Sequence, residues 1–346
     1  MDTNVRARLK KPTINDVASL SGVSKKTVSR VLNNSEQVTK ATREKVSAVI
    51  EQLNYEPDPQ ARSLASSRSY LLGLVYDNPN ALYISDIQIG ILRACLPAGC
   101  ELIMHPGDFN NPGLVDEIAR FVSRARIGGL ILLSPISQMN ELAERLQEDH
   151  IPYVRISPKK IDAGKRVVVS NDRYGAELMT EYLVSIGHRR IGFVTGPASN
   201  LSAQQKFKGF CSVMKKHNLP VHEELVSEGA NTFDSGVVAG ANLLKSKKRP
   251  TVIFASNDAM ALGVLKSAKM LEIPVPEQVS IAGYDDSAFA TVAWPDLTTI
   301  RQPVEHMGEL AARKLLMQLG KGASQTDESI VIEPELVVRY STRSYP

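Results

Sequence analysis

The sequence predicts an α/β chain in which a small all-α helix-turn-helix headpiece precedes a larger, two-lobed core of doubly wound parallel sheets. Three observations carry this reading. A pair of short amphipathic helices opens the chain, positive charge concentrates around them, and from Leu71 onward apolar runs alternate with amphipathic helices. The expected division is a headpiece over 1–57, a linker over 58–69 and a core over 70–346.

The first helix is announced by Thr13 followed three residues later by Asp16, an N-terminal capping signature. Ile14, Val17, Ala18 and Ser21 then share one face, and Gly22 stops the helix. Ser24 is placed to cap a second helix, in which Val28, Val31 and Leu32 recur at the spacing of a stripe packed on the first. On its other face Lys25, Lys26, Ser29, Arg30 and Asn33 occupy one arc of about 140°, with Thr27 at its edge. That face carries donors and no acid. It suits the major groove, where Arg forks onto guanine and Ser, Asn and Lys reach base edges or phosphates. An ordinary solvated helix in a three-helix unit has the same pattern, so the face alone leaves both readings open.

A third helix starts at Thr39 or Thr42 and presents Val46, Val49, Ile50 and Leu53 as its apolar stripe. Thr42, Arg43 and Lys45 near its start, and Asn54 and Tyr55 at its end, are candidates for phosphate contacts. Pro57 and Pro59 close the headpiece. The polar stretch from Gln60 to Ser69 is too short to be a stable helix alone, because isolated helices below about 12 residues are marginal in water. Within it Leu64 is either a wedge for a DNA base step or a contact with the next domain.

Charge follows the same division. Residues 1–68 hold 12 Lys/Arg against 7 Asp/Glu, a net +5, and the remainder holds 29 against 30, a net −1. Attraction to phosphate would use the first segment and has no purchase on the second. No apolar run approaches the roughly 18 residues of a membrane span, and the start lacks the apolar centre of a signal peptide. An exported solute-binding protein is therefore not expected. Cys95, Cys100 and Cys211 are odd in number and lack metal-ligand spacing, which fits a reducing cytoplasm. Neither a metal nor a cofactor is expected.

In the core, 71–76, 100–104, 129–133, 153–156, 167–169, 190–194, 252–255 and 279–282 read as strands. Residues 114–125, 174–186, 203–217, 234–244 and 260–271 are among the helices between them. Continuous apolar strands with helical crossovers mean parallel sheets covered on both faces, and this many units suggest two lobes. Such sheets bind ligands at the carboxyl ends of their strands. Tyr76 to Asn78 with Asn80 and Tyr83, Ser134, Ser170 to Asp172, the loop leading to Lys206, Asn231 and Phe233, Ser256 to Asp258, and Asp285 with Asp286 stand there. Hydroxyls, amides, carboxylates and a few rings suit a polyhydroxylated ligand. Capping of the following helices is the competing role, for which Asp172, Asp234 and Asp258 are well placed. An enzyme reading finds no partner for these carboxylates at readable spacing, and His188 sits where a helix-to-strand turn is expected.

Several blocks together resemble the lactose repressor (LacI/GalR) family of bacterial transcription regulators. They are Thr-Ile-Asn-Asp-Val-Ala at 13–18, Thr-Val-Ser-Arg-Val-Leu-Asn at 27–33, Leu-Asn-Tyr-Glu-Pro at 53–57, Ala-Arg-Ser-Leu-Ala at 61–65, Gly-His-Arg-Arg-Ile-Gly-Phe-Val at 187–194, Ser-Asn-Asp-Ala-Met-Ala-Leu-Gly at 256–263, Val-Ser-Ile-Ala-Gly-Tyr-Asp-Asp at 279–286 and Leu-Thr-Thr-Ile-Arg-Gln-Pro at 297–303. The resemblance implies a repressor with a hinge helix whose Leu64 wedges the minor groove, and a core like type I periplasmic binding proteins. It implies a DNA-proximal lobe near 70–167 and 302–328, a distal lobe near 168–301 and 329–346, and an effector between them. Arg30 would read a guanine, and Thr13, Ile14, Asn15, Ser24, Lys25, Lys26, Ser29 and Asn33 would line operator DNA. Asn257 and Asp285 match the family's usual ligand contacts, and Gln302 lies on a crossover. Two departures stand out: Lys206 where the family usually has Arg, which a single ammonium cannot replace geometrically, and Asn231 where an aromatic is common, unless Phe233 takes over the stacking. A sugar is the expected effector, with a nucleoside or purine as the alternative. No leucine heptads follow the last strand, so the expectation is a homodimer on a near-palindromic operator.

Overall fold

Thr13 opens the first helix through its backbone N–H and its hydroxyl, which both donate to the Asp16 carboxylate at 2.8 and 2.7 Å. In this computed structural model, which describes residues 12–32, 37–55, 69–320 and 328–346, the helix α1 spans Ile14–Ser21. Gly22 ends it at φ +62°, a left-handed conformation that a residue without Cβ adopts freely. Helix α2 spans Lys25–Leu32 and α3 spans Lys40–Gln52, the latter capped by Thr39. Val17, Ala18, Val28, Val31 and Val46 form the buried centre of this unit, with Ile14, Leu53 and Tyr55 packed against it. Asn33, Leu64 and nearly all of 58–69 lie outside the described residues.

The chain divides into two compact units, 1–70 and 71–346. The second contains two parallel sheets. In the first lobe, β1 (Leu71–Tyr76), β2 (Glu101–Pro106), β3 (Gly129–Leu132), β4 (Tyr153–Ser157), β5 (Val167–Val169) and β11 (Ile330–Val331) lie in the order β11-β5-β4-β3-β1-β2. Helices α4 (Ala81–Cys95), α5 (Leu114–Ala125), α6 (Asn140–Glu148) and α12 (Val304–Gln318) cover it. In the second lobe, β6 (Ile191–Thr195), β7 (Val226–Glu228), β8 (Val252–Ala255) and β9 (Ser280–Ala282) take the order β7-β6-β8-β9. Its helices are α7 (Asp172–Ser185), α8 (Leu201–Lys216), α9 (Phe233–Leu244), α10 (Asp258–Met270) and the short α11 (Phe289–Val292). A separate antiparallel pair joins β10 (Thr299–Arg301) to β12 (Glu335–Val337).

Val168 pairs with Ile156 and Ile330, and Val169 with Ser157 and Val331, so these residues belong to the first sheet. The first sheet therefore keeps the chain through Val169 and again at Val331, beside the expected bounds near 167 and 328. The reason is that β5 is buried along its whole length and gains a partner strand on each side. Among the described residues no helix is long and apolar enough to cross a membrane. Cys95 and Cys100 are buried free thiols, and burial pushes Cys95 up to about 11.

Glycines let three helix pairs approach at backbone contact, α7 with α8 through Gly209 and the Arg173 carbonyl among them. A Cβ on Gly90 of α4 would strike the Glu305 carbonyl of α12, and one on Gly308 would strike that of Ile87. In the second lobe a Cβ on Gly263 of α10 would strike the Phe233 carbonyl and the Val237 N–H of α9. This crossing holds the starts of α9 and α10 side by side, and both starts carry candidate site residues. Gly263→Ala is expected to lower core stability by about 1–3 kcal/mol through overpacking, read as a lower denaturant midpoint with an unchanged headpiece.

Candidate functional site

The exposed face of α2 carries Lys25 and Lys26 in solvent, with Ser29 and Arg30 half-buried beside them. Ser24 is committed locally: its Oγ accepts from Thr27 N–H at 3.1 Å and lies 2.9 Å from the Thr27 hydroxyl. Thr13 is likewise engaged at the start of α1, while Asn15 is exposed. Ile14 and Tyr55 are packed against the headpiece core. The helix pair thus presents Asn15, Lys25, Lys26, Ser29 and Arg30 around a rigid turn. This arrangement has donors for phosphates and base edges.

In the core the carboxyl ends of the strands of both sheets meet across a cavity of about 640 Å³, counting its open mouth. Asn80, Tyr83, Ser134, Lys206, Asn231, Asn257 and Asp285, named at strand ends, line it, and so does Gln302, which the resemblance put on a crossover. Of the other residues named at the strand ends, Tyr76, Asp77, Asn171, Phe233, Asp258 and Asp286 do not. Tyr76 ends β1 in register with Pro106, and the lining begins with Asn78 beyond it. Phe233, the first residue of α9, is exposed, with the Lys266 ammonium 5.3 Å from its ring centroid. It therefore does not supply the ring that Asn231 lacks.

Asp172 organises the floor. It is buried at the first turn of α7, where a carboxylate meets the positive end of the helix. Its Oδ1 accepts from Ser170 Oγ at 2.8 Å and from Gln302 Nε2 at 2.5 Å, and its Oδ2 accepts from Ser202 Oγ. Asn257 caps α10, accepting from Met260 N–H at 2.8 Å, and its Nδ2 donates to the Asn231 carbonyl at 3.1 Å. Asn231 reaches this position in the left-handed conformation, at φ +59°.

Lys206 and Asp285 face each other on the second lobe. The ammonium donates to the Ser256 carbonyl at 2.9 Å, lies 3.7 Å from Asp285 Oδ1, and sits 3.7 Å from the centroid of the Tyr284 ring. Asp285 has φ +114° and Asp286 φ +55°, a strained pair for residues with a Cβ. Neighbours hold this turn on two sides. Asp286 pairs with Arg339 at 2.6 Å and Arg301 at 2.8 Å. Asp258 accepts from Thr299 Oγ1 at 2.7 Å and from Ser287 N–H and Oγ at 2.8 and 3.0 Å. Burial raises the pKa of Asp285, helped by the charge of Asp172 and opposed by Lys206. Burial also pushes Asp258 up to about 7, with Asp285 adding to the rise. Tyr83 is held above its ordinary value by burial and by Asp172 and Asp285, so its phenol is neutral.

The lobes also touch at the rim. Gln138 of the first lobe donates from Nε2 to the Ser199 carbonyl at 2.7 Å and accepts from Leu201 N–H at 2.9 Å. Ser134 Oγ donates to Asn200 Oδ1 at 3.2 Å. Sequence reasoning missed Gln138, which ends the short 3-10 turn Ile136–Gln138, and named Asn200 only as part of the loop leading to Lys206. It also missed Ser157, because β4 runs one residue further than its apolar run. His188 lies outside the cavity lining, hydrogen-bonded to Thr251 Oγ1 at 2.8 Å, and burial pushes it down to about 4. Among the described residues no cluster of His, Cys, Asp and Glu is suited to hold a metal ion.

The raised Asp258 pKa fixes the sign of a pH effect. Unfolded, this carboxyl releases its proton near pH 4, whereas the folded core retains it to about 7. The native state binds more protons in that window, so stability falls as pH rises through it. Asp258→Asn is expected to flatten this fall, seen as a smaller change in denaturant midpoint than the natural chain shows between about pH 4 and 7.

Residues 13–58 match the model for bacterial regulatory proteins of the lacI family, and residues 180–342 match that for a periplasmic binding protein-like domain. The transcriptional repressor PurR of Vibrio vulnificus is 32% identical over 332 residues, covering 94% of this chain and 97% of its own. A solved complex of the regulator CelR with cellobiose is 30% identical with a TM-score of 0.70, covering 95% of this chain and 99% of that one. The Lac repressor dimer bound to operator and the anti-inducer ONPF is 26% identical with a TM-score of 0.80, covering 96% and 100%. Similarity that runs the length of both chains, through the same order of headpiece and core, makes this chain a member of the lacI family of bacterial regulatory proteins, DNA-binding transcriptional regulators under allosteric control.

Proposed function

We propose that the protein is a homodimeric, cytoplasmic repressor that joins the nucleoid by binding a near-palindromic operator, and that a small sugar in the interlobe cleft controls this binding. The observation that carries the reading is the cleft itself. Asn80 and Ser134 from one lobe, Asn257 and Asp285 from the other and Gln302 on the crossover converge on one cavity. Groups that accept and donate on all sides match a ring of hydroxyls. A planar base would call for stacking faces, and Tyr83 is the one aromatic residue lining the cavity among those described. The effector contacts are assigned to Asn80, Tyr83, Ser134, Lys206, Asn231, Asn257, Asp285 and Gln302. The cleft is read as a binding site without turnover.

On the headpiece, Arg30 is assigned to a guanine edge, with Lys25, Lys26, Ser29 and Asn15 on phosphates and neighbouring bases. Thr13, Ser24, Thr27 and Tyr55 support this surface, and Ile14 flanks it. Asn33 and Leu64 complete the assigned contacts from outside the described residues. Ligand affects DNA affinity only by as much as it prefers one arrangement of the lobes over another. The rim bonds of Gln138 and Ser134 are an element that such a preference would act on.

The test is binding of the purified chain to the DNA upstream of its own gene, by anisotropy at fixed salt, with and without a panel of sugars and nucleosides. A change in affinity with a sugar is expected. No DNA binding under any condition, or a response to nucleosides alone, overturns the reading, and consumption of the bound sugar overturns its non-catalytic part. Arg30→Ala is expected to weaken operator binding at least fivefold, since a bidentate base contact contributes about 1–3 kcal/mol, while sugar affinity measured without DNA stays unchanged.

A further inference from the structure

Two hydroxyls at the cavity have no role in the network described above. Ser157 ends β4 in the first lobe and Ser256 follows β8 in the second, and both line the cavity. They are 1% and 2% exposed, and neither Oγ has a hydrogen-bond partner among the described residues. A buried hydroxyl left unpaired costs free energy, so a cavity that holds two, one from each lobe, is built for a ligand that pairs with them.

The charges at the same cavity restrict what that ligand is. Its charged lining residues among those described are Asp172, Asp285 and Lys206, a balance of one positive against two negative groups. Lys206 is fully engaged, with the Ser256 carbonyl at 2.9 Å, Asp285 Oδ1 at 3.7 Å and the Tyr284 ring at 3.7 Å. The arginines nearest this turn, Arg301 and Arg339, are drawn to Asp286. An anion entering the cleft would meet two carboxylates and no unengaged cation, whereas a neutral hydroxyl would donate to Asp285.

We propose that this cleft selects an uncharged polyol over the corresponding sugar acid or phosphate ester, and that Ser157 and Ser256 contact it from opposite lobes. The proposal rests on the reading of the cleft as the effector site. It assigns two ligand contacts, Ser157, which strand-end reasoning missed, and Ser256, which it did not separate from its neighbours, and it makes Lys206 a neutralising partner of Asp285 instead of an anion receptor.

Calorimetric titration of the full chain with matched probes tests it: D-glucose against D-glucuronate, D-galactose against D-galacturonate, and D-ribose against ribose 5-phosphate. The neutral member of a pair is expected to bind at least tenfold tighter. Ser157→Ala and Ser256→Ala are each expected to weaken that sugar about fivefold while the melting temperature of the free protein holds or rises, and Asp285→Asn to shift the preference toward the acid. An acid or phosphate ester that binds as tightly as its neutral counterpart overturns the charge selection while leaving the effector reading in place. Unchanged affinity in both serine variants overturns their assignment. If no neutral or charged probe binds and none alters operator affinity, the effector reading falls and this proposal with it.

Discussion

The hydrogen bond from Gln302 Nε2 to Asp172 Oδ1, at 2.5 Å, ties the two lobes at the base of the cleft. Asp172 opens the first helix after one crossing, and Gln302 stands just before the last helix of the other lobe. The bond therefore couples two of the three places where the chain changes lobes. Both residues are buried, and an unpaired carboxylate there would carry the full cost of desolvation. Ser170 and Ser202 satisfy the same carboxylate, so the strand end, the α7 start and the α8 start are fixed together.

The strained turn at Asp285 and Asp286 follows from similar constraints. Two consecutive residues with a Cβ at positive φ are unfavourable, and they persist only where the surroundings over-determine them. Asp258 grips one side through Thr299 and Ser287, and Arg339 from the last segment of the chain grips the other through Asp286. Their combined effect is to aim Asp285 into the cleft beside Lys206. This is how the antiparallel pair β10-β12, remote in sequence from most of the cavity, sets the geometry of its most exposed charge.

The headpiece shows the opposite case, in which nearly everything is local. Thr13, Asp16 and Gly22 mark the ends of α1 within ten residues, and the apolar stripe of α2 follows from 3.6-residue periodicity. Its candidate face was legible for the same reason, since residues on one helix share a face whatever surrounds them. In the core, the strand-end rule placed Asn80, Ser134, Asn257 and Asp285 at the cavity before any contact was known. It failed for Tyr76, Asp77, Asn171, Phe233, Asp258 and Asp286, where one turn of backbone decides whether a side chain enters a cleft or leaves it.

The sequence by itself determined the class of fold, the order of headpiece and core, and which strand ends bear polar groups, because periodicity, caps and apolar runs are properties of neighbouring residues. Short strands such as Val226–Glu228 and Glu335–Val337 have no such signal and form only because a partner strand offers its hydrogen bonds. Tertiary structure alone decided that β5 stays in the first lobe and that the lobes meet through Gln138. It also decided that Lys206 is neutralised by Asp285 and Tyr284, and that Ser157 and Ser256 face one cavity unpaired. Those facts join residues far apart in the chain, Gln138 with Ser199, Lys206 with Asp285 and Val168 with Ile330 among them. Burial, which sets whether a charge is paired or a hydroxyl is left for a ligand, exists only once such distant segments have packed.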